Sequence, residues 1–187
     1  DMLYYASRDQ AGPLAIRYPR GGIPEGSIDV KKPRPFAPGK IQEVRKGRDV
    51  AIFALGDMVG VAIEAHALLE KAKISASVVN LLSIKPLDTA GIERVLKRSA
   101  SFITLENGSI TGGVGEYLLA SVSGQARAKL LFTAGFPDKF IGHGGNADLF
   151  AEYGLDANSI AKRIMQHLGR KPAHGKKEKA GRSSRRK

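Results

Sequence analysis

The chain has 187 residues, 42% of them hydrophobic, enough for one medium domain with additional segments. It holds no cysteine, which excludes disulfides, thiolate metal sites and thiol nucleophiles within it. The formal net charge of +12 is unevenly spread: residues 171–187 carry eight Lys/Arg against one Glu, and the rest carry 22 basic against 17 acidic residues, so the excess marks a tail rather than a nucleic-acid-binding face.

In chain order, Met2, Leu3, Tyr5 and Ala6 read as the apolar side of a helix with no cap before it, as if the chain began inside a larger protein's helix. The opening DMLYYASRDQ has no secretory pattern, and no apolar run nears the roughly 18 residues of a membrane span, so the expected setting is cytoplasmic. Gly12-Pro13 breaks the helix, and LAIRY follows as a short strand ended by Pro19. Residues 23–39 carry Pro24, Pro33, Pro35 and Pro38, which remove backbone donors and fix φ, so an extended linker is expected there.

From Lys40 the pattern changes. IQEVRKGRDVAIFAL predicts a β-hairpin over residues 41–55, turning at Lys46-Gly47-Arg48. Asp57 is placed to cap a helix from Met58 to Ala72, whose apolar face reads as Val59, Ile63, His66/Ala67 and Leu69. A strand over Ser75–Ile84 precedes Asp88, a second N-cap, for the helix Thr89–Arg98. SFITLE (residues 101–106) is an apolar strand, and GSITGGVG (108–115), four glycines in eight residues, leads into a helix over 113–123 with Val114, Tyr117, Leu118 and Val122 inward. Lys129–Thr133 is the last strand, and helices follow near Asn146–Glu152 and Asp156–Leu168. Alternating strands and helices with continuous apolar strands predict an α/β fold with a largely parallel sheet and helices on both faces. The tail over 170–187 has almost no apolar residues to offset its chain entropy and is expected to be disordered, with loose binding of RNA as the alternative use.

Few residues offer chemistry. Gly112-Gly113-Val114-Gly115 at a helix start suggests a phosphate cradle, but the dinucleotide fingerprint needs glycine where Leu118 stands, and no Walker lysine follows. The glycines fit close packing of helix, strand or partner chain better. Glu106-Asn107 stands at a strand end, where functional groups often lie, and a structural carboxylate capping that turn fits Glu106 better. His66, His143, His167 and His174 match no metal spacing. Arg17 and Arg20 flank Tyr18-Pro19, where a stiffened strand end could present guanidinium groups to a phosphate; a plain basic surface fits the same residues.

GPLAIRYPRGG, ALGDMVGVAIEA, VVNLLSIKPLD, FITLENGSITGGVGEYL and GFPDKFIGHGGNADLFAEYGLDANSIAKRI together resemble the C-terminal part of the 1-deoxy-D-xylulose-5-phosphate synthases, in the transketolase-like, thiamine-diphosphate-dependent family. The resemblance runs from about residue 1 to about residue 168. It implies that residues 1–22 end a pyrimidine-binding domain. It makes 40–169 a three-layer transketolase C-terminal domain, with a mixed five-stranded sheet containing one antiparallel strand. It implies a homodimeric enzyme acting on pyruvate and glyceraldehyde 3-phosphate, with thiamine diphosphate and Mg2+ bound outside this chain. Within the chain it implies no catalytic residue. It implies a substrate-phosphate ligand at Arg20, more weakly at Arg17, and an interface turn at Glu106, Gly112, Gly113 and Gly115. The β subunits of 2-oxo-acid dehydrogenases share the glycine turn, and a non-catalytic interaction module is the remaining alternative.

Overall fold

Val50–Ala54 is five apolar residues in succession, and every one of them is fully buried. A strand without a polar face must be covered on both sides, so it belongs in the middle of a sheet. The computed structural model, which describes residues 1–8, 12–18 and 35–170, places it there. Five strands, β1 (Gln42–Arg45), β2 (Val50–Ala54), β3 (Ala76–Asn80), β4 (Ser101–Ser109) and β5 (Leu130–Phe136), lie in the order β1-β3-β2-β4-β5. All pairs are parallel except β1 with β3.

Side chains alternate across the sheet, and each face has its own core. Val50, Ile52, Ala54, Val78, Ile103 and Leu105 pack with α2 (Met58–Lys71) and α7 (Ala157–His167). Ala51, Phe53, Val79 and Phe102 pack with α3 (Thr89–Arg98), α4 (Val114–Ser121) and α5 (Gly124–Arg127). Phe53 and Phe102 meet edge to face, centroids 5.9 Å apart, the arrangement that aromatic quadrupoles favour. The result is a three-layer α/β/α fold, with the largely parallel sheet that the alternation predicts and the one antiparallel strand that the resemblance implies. Two further helices complete the described residues, α1 (Met2–Arg8) and α6 (Asn146–Glu152).

Several expectations change. Residues 41–55 do not form a hairpin: β1 is antiparallel, but its partner is β3, Glu43 lying opposite Val79. Gly47 lets the chain cross, because a Cβ there would lie 2.3 Å from the backbone of Ala76. Both backbone groups of Gly47 bond the buried Ser77 hydroxyl, which donates to its carbonyl and accepts from its N–H. LAIRY, expected as a strand, joins no sheet among the described residues. The buried face of α2 is Met58, Ala62, Ala65 and Leu69, one residue round from the expected stripe. Small alanines admit the close approach of β3 and α7, while bulkier Val59 and Ile63 pack on its flanks. Tyr117, expected inward, is 39% exposed. β3 is shorter than expected, β4 and β5 are longer, and α5 is additional. Residues 19–22, residues 23–34 of the expected linker and the tail from 171 lie outside the described residues.

The caps are local and legible. Asp88 accepts from the Gly91 N–H at 2.9 Å, and Asp156 accepts from the N–H groups of Asn158 and Ser159. Burial raises the pKa of each carboxyl, but these bonds outweigh it and hold both below the ordinary aspartate value; Lys40 and Arg94 add to the effect at Asp88.

Three helices end in Schellman motifs with a left-handed residue after the cap: Lys73 after α2, Gly154 after α6 and Gly169 after α7. In the first, Ile74 N–H bonds Leu69 C=O and Lys73 N–H bonds Glu70 C=O. Lys73 carries the steric cost of a Cβ at φ 58°, which glycine avoids. Lys73→Gly is therefore expected to stabilise the chain by about 0.5–1 kcal/mol in urea unfolding. A loss of stability would contradict this account.

Candidate functional site

The carboxyl ends of β2, β3 and β4 open on one side of the sheet, where an α/β fold commonly places its ligands. The elements there are the β2–α2 turn, residues 80–85 after β3, and the β4–α4 turn.

β4 continues past its ladder with β2. The pairing with β2 stops at Ala54–Leu105, and the register with β5 shifts between Leu105 and Ser109. Glu106, 5% exposed, points back at the start of α4: Oε2 accepts from Val114 N–H and Oε1 from Gly115 N–H, both at 2.9 Å. The carboxylate thus holds the positive end of the helix from inside the protein. Gly112, at φ 69°, turns the chain, and its N–H bonds the Glu116 carboxylate at 2.9 Å. A Cβ at Gly113 would lie 2.4 Å from Ser109 O, and one at Gly115 would lie 2.6 Å from Thr104 Oγ1. The Thr104 hydroxyl is buried with no partner among the described residues.

This geometry decides the phosphate question. The amides that would cradle an anion already hold two carboxylates of the chain itself, and a diphosphate would meet Glu106 and Glu116 at close range. No cluster of three His, Asp or Glu among the described residues could hold a metal ion. The residues present do not fit thiamine diphosphate or Mg2+.

Asn107 follows Glu106. Its side-chain amide donates to Asp57 Oδ2 at 2.8 Å. Asp57 stands at the N-cap position of α2 but makes no capping bond, contrary to the sequence expectation; its φ and ψ are helical, and its carboxylate is turned to Asn107. The Asn107 carbonyl accepts from Arg17 Nη2 at 3.2 Å. Arg17 belongs to segment 12–18, of which residues 13–18 wall a groove of about 730 Å³ together with Leu55, Asp57, residues 80–85 and Asn107. Of the two arginines singled out in the sequence, Arg17 is thus brought to the strand ends, and Arg20 lies outside the described residues. His66 is half-buried on α2, its Nδ1 3.0 Å from the Ala76 carbonyl, and His143 is exposed. His66, His143 and His167 do not converge with these groups, and His174 lies outside the described residues.

Against known proteins, residues 39–160 match the family described as "Transketolase, C-terminal domain". The chain belongs to that family. Among curated relatives, this transketolase C-terminal domain protein is 39% identical over 174 residues to a 1-deoxy-D-xylulose-5-phosphate synthase of Chlorobium luteolum, covering 93% of the chain and 27% of the relative. It is 40% identical over 160 residues to the synthase of Caldanaerobacter subterraneus subsp. tengcongensis, covering 86% of the chain and 25% of the relative. The chain therefore spans about a quarter of the length of these synthases. Among solved structures it is similar to a split-gene transketolase in an inactive β4 tetramer, with a TM-score of 0.65 and 30% identity over 72% of this chain and 44% of that one. The fold is also that of a region of transketolase from Campylobacter jejuni, with a TM-score of 0.50 and 19% identity over 68% of this chain and 18% of that one. No helix among the described residues is long and apolar enough to cross a membrane.

Proposed function

We propose that the chain is the C-terminal part of a thiamine-diphosphate-dependent synthase that condenses pyruvate with glyceraldehyde 3-phosphate to 1-deoxy-D-xylulose 5-phosphate, releasing carbon dioxide. The observation that carries this reading is the reach of the similarity. The match to the Chlorobium luteolum synthase covers 93% of the chain, whereas the family match is confined to residues 39–160. The similarity therefore extends beyond the domain that transketolases share.

In this reading residues 1–22 complete the preceding domain, 23–39 link it to the C-terminal domain at 40–169, and the remainder of the synthase holds thiamine diphosphate and Mg2+. The described residues supply architecture. The turn at Glu106, Gly112, Gly113 and Gly115 fixes α4, and the exposed Tyr117 on that helix offers a contact surface for a homodimer. The inactive β4 assembly of the split-gene transketolase supports a chain of this kind being silent without its companion.

The test is an assay with pyruvate, glyceraldehyde 3-phosphate, thiamine diphosphate and Mg2+. No product is expected from the chain alone, and product is expected with the upstream part present. Turnover by the isolated chain would overturn the reading. In the complete enzyme, Arg20→Ala should raise KM for the phosphorylated acceptor about tenfold or more, as loss of a charge-assisted pair does, and leave KM for pyruvate nearly unchanged. An unaltered acceptor KM would remove Arg20 from the site.

A further inference from the structure

We infer that Arg17, Asn107 and Asp57 form a latch that sets the position of residues 12–18 over the carboxyl ends of β2 and β4, and that they are positioning residues for the phosphorylated acceptor. The second half of this inference rests on the proposed synthase function; the first half does not.

Three features carry it. Segment 12–18 has no ladder partner among the described residues, and the Arg17 side chain ties it to the strand ends. Its cation, the exposed Arg17, bonds a main-chain carbonyl ninety residues away, at Asn107. That carbonyl is available because β4 has left its ladder with β2 at Leu105 and is out of register with β5 until Ser109.

The third feature is the use of Asp57. An aspartate at an N-cap ordinarily bonds the first helical amides, worth about 1 kcal/mol. Here it gives up that bond to hold the Asn107 side chain at 2.8 Å. A carboxylate on an amide N–H is a charge-assisted bond, stronger than a neutral one. It fixes the orientation of Asn107, and the Arg17 guanidinium adds a second charge-assisted bond to the same residue. The two charged ends, Arg17 and Asp57, are thereby joined through one asparagine. The β2–α2 turn, the β4 bulge and the arm are connected in a single chain of hydrogen bonds. Residues 12–18 lead directly to Arg20 in the sequence, so their placement bears on the acceptor end of the reaction.

The test uses reversal of the pair. Asn107→Asp sets two carboxylates against each other and breaks the Asp57 link of the latch without changing side-chain size, the carbonyl that Arg17 bonds being kept. Asp57→Asn with Asn107→Asp restores the bond in the opposite direction, the amide at 57 donating to the carboxylate at 107. In the complete enzyme, Asn107→Asp is expected to raise acceptor KM roughly tenfold with kcat and pyruvate KM within about twofold, and the double variant to recover most of the loss. A structural defect alone would lower kcat and raise both KM values, and the swap would not rescue it.

The latch itself is read separately on the full chain. Because the chain holds no cysteine, Leu14→Cys with Gln125→Cys gives two clean spin-label sites, and the distance distribution between them should be narrow. It should broaden with Asn107→Asp and narrow again in the swap. A broad distribution in the otherwise unchanged chain overturns the latch. A narrow one with unchanged acceptor KM in Asn107→Asp overturns the positioning role. Absence of synthase turnover in the complete enzyme overturns the proposed function and the positioning role together, while the distance distribution still decides the latch.

Discussion

Glu106→Gln should cost the chain about 2 kcal/mol of stability and Glu106→Ala about 3–4 kcal/mol. The carboxylate is 5% exposed and accepts from two helix N–H groups at 2.9 Å. Glutamine keeps the shape and one acceptor oxygen, but it turns an NH2 donor toward the second N–H, so one amide loses its partner. Alanine leaves both amides unsatisfied and opens a hole beneath Gly113. For a chain of this size the alanine loss corresponds to a fall in Tm of about 10 °C. Urea unfolding followed by circular dichroism checks the order Glu, Gln, Ala. A glutamine variant within 0.5 kcal/mol of the original would mean that water replaces the carboxylate readily and that the cap carries little.

The second large effect is expected at Gly115. A Cβ there would lie 2.6 Å from Thr104 Oγ1, 3.1 Å from Thr133 Cγ2 and 3.3 Å from Glu106 Oε1. Thr104 is 2% exposed on a central strand and cannot swing away, so Gly115→Ala should destabilise by about 2–3 kcal/mol through overpacking. Thr104→Ala removes the nearest obstacle together with a buried hydroxyl that has no partner among the described residues. In the background of Gly115→Ala it should therefore recover about 1 kcal/mol or more, the two changes coupling because the side chains share one space. Additive losses in the double variant would place the cost in the α4 backbone instead. This pair also bears on the interface proposed at the turn. If the glycines serve internal packing alone, Gly115→Ala changes stability and leaves assembly unaltered, as sedimentation would report.

The Glu106 cap, the Asp88 and Asp156 caps and the continuous apolar run of β2 were all legible from neighbouring residues. Each is a local event: a carboxylate reaching an amide a few positions away, or a strand whose composition permits only a central place. The phosphate cradle was equally legible as a possibility. What removed it was the direction of the Glu106 and Glu116 side chains, which spacing alone does not encode. Asp57 shows the converse. Its place before Met58 reads as a cap in any sequence, and only the fold brings Asn107 close enough to take the carboxylate instead.

The sequence by itself determined the α/β class, the order of the five sheet strands and the longer helices between them, and the family resemblance, because periodicity, caps and linked motifs are written in consecutive residues. The tertiary structure alone decided which strands are neighbours. β1 and β2 are adjacent in sequence, yet β3 lies between them, since Gly47 lets the chain pass against Ala76 and Ser77 holds the crossing. It alone decided the buried face of α2, where alanine smallness rather than hydrophobicity sets the contact. It alone joined Arg17 to Asn107, ninety residues apart, by ending one ladder early and freeing one carbonyl.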